Sequence, residues 1–182
     1  MNLEEKTISQ NLKFDGRIIK VSYDEVLLPN GKTASREVVR HSGGVCVAAI
    51  DENNELVFVK QFRYPFDEVL LELPAGKIDP NEAPEICGKR ELMEETGITA
   101  EKFTSLGLMY PTVAFCDEII YAYFAENLSY GDTHLDEDEF VEIVKIPFDK
   151  ALEMVMSGEI KDGKTQLAIL KLAVLRNENS VK

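Results

Sequence analysis

The chain has 182 residues, of which 45% are hydrophobic and 8% aromatic, and a formal net charge of −13. That length and apolar content suit one globular domain carrying at most a small appendage. The acidic balance excludes a nucleic-acid-binding surface, because polyphosphate backbones are held by Lys and Arg; a small phosphorylated substrate is still admitted, since bound cations invert a local field.

The N-terminal MNLEEKTISQ lacks the basic and apolar regions of an export signal, and no apolar run approaches the ~18 residues of a membrane span. Residues 17–28 alternate and end at Pro29-Asn30-Gly31, a hairpin signal whose return strand is Thr33–His41. These strands are expected to form a small antiparallel sheet of their own. Residues 1–41 are therefore set apart as an N-terminal β subdomain, with 42–182 as the main domain. Gly43–Ile50 and Leu56–Phe62 read as a second hairpin around Asp51–Asn54, and Val69–Leu73 as a short strand. Asn81–Thr96 reads as a helix, with Asn81 as N-cap, Pro84 in the first turn and Gly97 at the left-handed C′ position. Its apolar stripe, Ala83, Ile86 and Met93, is expected to dock on the core. Lys102–Tyr110, Ile119–Glu126 and Phe140–Ile146 read as strands, Asn127–Asp138 as a polar loop, and Phe148–Ser157 and Lys164–Arg176 as helices. The sum is an α/β domain with a mixed sheet. Cys46, Cys87 and Cys116 are odd in number, scattered and without CxxC spacing, so reduced thiols and a cytoplasmic location are expected.

Chemistry concentrates in Gly76–Ile98, around Gly76, Glu82, Arg90, Glu91, Glu94, Glu95 and Gly97. At about 100° per residue, Glu91, Glu94 and Glu95 share one side of the helix. Their repulsion costs a few tenths of a kcal/mol per pair, which makes sense if cations neutralise it. Mg²⁺ prefers oxygen ligands and commonly bridges a few carboxylates to substrate phosphates. No His or Cys joins the cluster, which argues against zinc. Arg90 lies beside the acids and can hold one by a charged hydrogen bond. Alone, a Glu-rich run reads as a solvated helix face; the choice for a metal site rests on the resemblance that the surrounding Gly, Glu and Arg positions carry.

That pattern, G-x5-E-x7-R-E-U-x-E-E-x-G-U with U apolar, resembles the Nudix box without a mismatch. The resemblance implies an α/β/α sandwich with a mixed sheet, in addition to the small N-terminal antiparallel sheet. It further implies hydrolysis of nucleoside diphosphates linked to another moiety, using Mg²⁺, with Mn²⁺ as the alternative. In that family the metal ligands correspond to the Ala75 carbonyl, Glu91, Glu94 and Glu95, with Glu94 also counted as catalytic. Glu82 and Arg90 would orient those ligands.

Outside the box the chain is similar to ADP-ribose pyrophosphatases. Val59-Lys60-Gln61-Phe62-Arg63, Glu72-Leu73-Pro74-Ala75-Gly76, and Tyr110-Pro111 followed by Phe115-Cys116-Asp117-Glu118 carry this likeness, with Asp136-Glu137-Asp138-Glu139 in place of the family's acidic loop. The likeness assigns Arg63 to the diphosphate, Pro111 to a wall of the substrate pocket, and Glu139 or Glu137 to activation of water; the sequence does not separate those two. It also implies a homodimer formed by exchange of the N-terminal sheet, with Arg36 and Glu37 near the nucleoside. The small Gly that follows the proline in the family is absent from Pro111-Thr112-Val113-Ala114. The aromatic that stacks on adenine in some relatives has no clear equivalent around Arg17-Ile18, so adenine recognition is expected to be looser, or supplied by Tyr23 or Phe14. The expected partner is a small molecule of the ADP-ribose class, with neither nucleic acid nor membrane. The rival readings are a GDP-mannose or other nucleotide-sugar hydrolase, a hydrolase of damaged nucleoside triphosphates, and a non-catalytic ADP-ribose sensor.

Overall fold

The computed structural model describes residues 2–135 and 139–180. Two compact units result, one comprising the residues up to Gly43 together with Tyr110–Ile119, the other Gly44–Met109 and the chain from Ile120 onward.

The first unit is a three-stranded antiparallel sheet in the order β1-β2-β3, from β1 (Lys6–Asp15), β2 (Ile19–Leu27) and β3 (Thr33–His41). The β2–β3 hairpin turns at Pro29-Asn30-Gly31, closed by Leu28 N–H to Lys32 O at 2.8 Å. The sequence reading contains no equivalent of β1. Tyr110–Ile119 is strapped to β3 through Val39 N–H to Phe115 O (2.7 Å) and Asp117 N–H to Val39 O (3.1 Å). The Asp117 carboxylate accepts from His41 N–H and from Arg40.

The second unit stacks two sheets and three helices. One sheet runs β7-β4-β9-β8, from β4 (Gly44–Ala49), β7 (Ala75–Lys77), β8 (Ile98–Met109) and β9 (Ile120–Tyr130). Strands β4 and β9 are parallel and the other pairs antiparallel, so the sheet is mixed. The other sheet runs β10-β5-β6, from β5 (Glu55–Arg63), β6 (Glu68–Glu72) and β10 (Val141–Pro147). Strand β4 is buried along its whole length. Cys46 and Ala48 pack into a core with Phe58, Phe148, Ile169 and Leu172; Val45, Val47 and Ala49 pack into another with Cys87, Leu92 and Ile98. Burial on both faces is why this strand reads as a continuous apolar run rather than an alternation. Helix α1 (Pro84–Thr96) supplies one core, and α2 (Phe148–Ser157) and α3 (Gly163–Ser180) the other, giving the α/β/α arrangement. Among the described residues no helix is long and apolar enough to cross a membrane.

Three sequence expectations are corrected. The expected second hairpin does not form, because β4 and β5 enter different sheets and share only the isolated bridge Ile50–Leu56. Helix α1 begins at Pro84, not at Asn81: Ala83 is extended ahead of the proline, as steric clash with the ring requires. Asn81 is a left-handed turn residue (φ 66°) instead of a cap. Finally, the helix does not bury Ala83, Ile86 and Met93. Ile86 is exposed, and the inward face is Cys87, Gly88, Glu91, Leu92 and Glu95.

Candidate active site

Helix α1 turns its acids inward. Glu91 and Glu95 are only 9% and 2% exposed, whereas Glu94 is half-buried. The helix packs on β7, and the two elements interlock at Gly76. A Cβ there would stand 1.9 Å from the Glu91 carboxyl carbon, so only glycine leaves room for that carboxylate. One residue earlier, Ala75 N–H donates to Glu95 Oε2 at 3.0 Å. Arg90 gathers the remaining acids. Its Nε and Nη2 bind the two oxygens of Glu82, each at 2.8 Å, and its Nη1 binds Glu91 at 2.8 Å and Glu94 at 2.9 Å. Asp79 N–H donates to Glu82 as well, at 3.1 Å.

Charge follows this geometry. The hydrogen bonds from Arg90 hold the Glu82 carboxyl down at about 2. Burial raises Glu91 above the usual carboxylate range, and Glu94 and Glu139 add to the rise against the pull of Arg90. Burial raises Glu95 to about 8, with Glu139 and Glu91 adding like charge and the Ala75 amide only partly offsetting it. Two carboxylates are thus kept in a dry place with too little positive charge. Among the described residues no three acids, imidazoles or thiols already form a closed metal shell. The donors nevertheless fit a hard divalent cation, being oxygens only, on one helix face, desolvated and mutually repulsive.

Glu139 also acts on this cluster. Its charge acts on both Glu91 and Glu95, so Glu139 itself stands near the acids of the helix. Gly97 ends α1 in the left-handed conformation (φ 69°), and a Cβ on it would meet Gly131 O at 2.3 Å. Gly131 N–H donates to Gly97 O (2.7 Å) and His134 N–H to Glu94 O (2.9 Å), so residues 131–134 are seated on the helix terminus. Beyond Glu139 the chain enters β10, where Val141 pairs with Gln61. Glu137 lies outside the described residues.

Arg63, at the end of β5, grips Glu72 with both edges of a fork: Nε to Oε1 at 2.6 Å and Nη2 to Oε2 at 2.7 Å. Glu72 is 2% exposed and also accepts from Lys164. Burial pushes Glu72 upward, but Arg63 and Lys164 outweigh it and hold the carboxyl below its ordinary value. The charge of Arg63 is felt at Glu95. Sequence reasoning passed over Glu72 and Lys164 as site residues; the available signal was an acid between Leu71 and Leu73 in the otherwise apolar segment Val69–Leu73.

Arg36, Glu37 and Pro111 belong to the first unit. Arg36 pairs with Glu5 through Nε at 2.9 Å and Nη2 at 2.5 Å, while Glu37 is exposed and stands opposite Tyr23 in the sheet register. Pro111 opens the strap on β3.

A sandwich of this topology with an inward-facing acidic helix defines the Nudix class, and residues 40–165 match the family described as "NUDIX domain". The chain belongs to the Nudix hydrolase family. Residues 5–39 match a second family, "Nucleoside diphosphate sugar hydrolase N-terminal domain". The chain is 44% identical to an ADP-ribose pyrophosphatase of Bacillus subtilis (strain 168), over 92% of each chain. It is 43% identical to a methanol dehydrogenase activator of Bacillus methanolicus, over 91% of each. A crystal structure described as an ADP compounds hydrolase shares the fold at a TM-score of 0.86, with 18% identity and 98% of each chain covered.

Proposed function

We propose that the chain hydrolyses the diphosphate of ADP-ribose to AMP and ribose 5-phosphate with Mg²⁺, Mn²⁺ being the alternative cation. The observation that carries this is the buried, under-compensated pair Glu91 and Glu95, approached by Glu139 and Arg63. The activity for which the Bacillus subtilis relative is named supports the choice of substrate. The Ala75 carbonyl, Glu91, Glu94 and Glu95 would hold the cation. What the cation supplies when bound is neutralisation of charge on the phosphoryl oxygens. Arg90 keeps Glu91 and Glu94 ordered and fixes Glu82 beside them. Arg63 faces the diphosphate with the edge that Glu72 leaves uncovered. Glu139 takes the proton of the attacking water as the new P–O bond forms and the bridging P–O bond breaks.

The test is product analysis on a panel containing ADP-ribose and GDP-mannose with Mg²⁺ or Mn²⁺. AMP and ribose 5-phosphate from ADP-ribose, at the higher kcat/KM of the panel, is the expected result. Faster turnover of GDP-mannose would transfer the preference, and binding of ADP-ribose without any turnover would make the protein a sensor.

A homodimer built on the first unit belongs to the same proposal. Its sheet leaves Ile8, Leu12, Phe14 and Ile18 each more than half exposed in the single chain (51%, 56%, 55% and 58%), an apolar surface of the kind that marks protein contacts. Light scattering at micromolar concentration is expected to give twice the chain mass, and a monomer would remove this part of the proposal.

A further inference from the structure

Arg63 is unusually well held for a cation meant to meet a ligand. Its Nε and Nη2 are both committed to Glu72, while Nη1 has no hydrogen-bond partner among the described residues and the side chain is 37% exposed. A guanidinium is planar, so fixing one edge aims the other. Glu72 is in turn held from behind. Lys164, whose side chain is 16% exposed, pairs with Glu72 and, at 3.1 Å, with Asp162. Asp162 also caps the start of α3 by accepting from Thr165 N–H at 3.0 Å. The fully buried Thr165 hydroxyl accepts from Leu73 N–H at 2.9 Å, fastening the first turn of α3 to the backbone beside Glu72. Two cations and two carboxylates therefore form a closed, neutral set that ties β5, β6 and the start of α3 together, with one donor edge left over.

We propose that Glu72, backed by Lys164 and the first turn of α3, is the positioning residue that orients Arg63 toward the substrate diphosphate. This rests on the reading of Arg63 given under the proposed function. Without Glu72 the long side chain samples many rotamers, and substrate binding must order it afresh. A pair serving only the fold would influence melting but not substrate affinity.

A double-mutant cycle in the full chain separates these. Arg63→Ala, Glu72→Gln and the double variant are compared by KM and kcat on ADP-ribose with Mg²⁺, and by the Kd of ADP-ribose in EDTA from calorimetry. Arg63→Ala is expected to raise KM and Kd by about 100-fold, and Glu72→Gln by about 10-fold. The double variant should match Arg63→Ala alone. Additive losses, or a Glu72→Gln change confined to melting, overturn the proposal. An Arg63→Ala variant with unchanged KM and Kd overturns the diphosphate reading of Arg63 instead. If Glu72→Gln does not fold, Lys164→Met decides by the same criterion. It leaves the Arg63–Glu72 pair in place, and its expected rise in KM of about 3-fold must vanish when Arg63 is already Ala.

Discussion

Glu95→Gln is expected to lower kcat for diphosphate hydrolysis by about 10³-fold while stabilising the metal-free protein at pH 8. The two effects share a cause. Glu95 is 2% exposed and its carboxyl is raised to about 8 by burial, with Glu139 and Glu91 adding like charge. A charged carboxylate there is useful only when a cation compensates it, and losing such a ligand removes several kcal/mol of transition-state stabilisation. The amide retains an oxygen able to accept from Ala75 N–H, so local geometry survives. For stability the sign runs oppositely. A carboxyl whose folded value lies above the ordinary 4.5 stabilises the fold fully below about 4.5 and loses that contribution as pH rises toward 8. Each pH unit between those two values is worth ~1.4 kcal/mol, so the loss is of order a few kcal/mol. Melting in EDTA should therefore show a Tm difference between the Gln variant and the parent that widens from pH 5 to pH 8 and shrinks when Mg²⁺ is restored. A difference independent of pH, or full activity in the variant, would refute this account.

Glu139→Gln should be almost as damaging, lowering kcat by about 10²–10⁴-fold, the usual contribution of a general base. KM should change little, because an interaction made mainly in the transition state leaves ground-state binding intact. Glu139 stands two residues ahead of Val141, where β10 locks onto Gln61 of β5, and its charge already acts on Glu91 and Glu95. The matched variant Glu137→Gln is expected to stay within a few-fold of the parent in kcat. Steady-state kinetics on both settle the assignment, and the reverse ranking would move the base to Glu137.

Local pattern carried some elements and misled on others. Helix α2 was legible to its ends, because Phe148–Ser157 combines a helical apolar period with Gly158 behind it. Strand β1 was not, because seven of the ten residues of Lys6–Asp15 are polar, the strand is almost wholly exposed in the single chain, and its pairing with β2 owes nothing to burial of a clean face. The β4 and β5 segments look like one hairpin, since a turn at Asp51–Asn54 is the shortest connection. Burial of β4 on both faces sends it instead between β7 and β9. In α1, hydrophobicity favoured Ile86 as the inward residue, yet the helix buries Glu91 and Glu95.

The Gly76–Ile98 spacing by itself determined that Glu91, Glu94 and Glu95 share one side of a helix, because helical periodicity places them together whatever surrounds them. Only the tertiary structure decided how those acids behave. Glycine at position 76 makes room for Glu91, the sheet desolvates Glu95, and the chain returns Glu139 to the helix some forty residues later. The Arg63–Glu72–Lys164 set was likewise out of reach of the sequence, because its members come from β5, β6 and α3 and meet only when those elements pack. Spacing along one helix is local geometry; burial and long-range charge exist only once the fold closes around it.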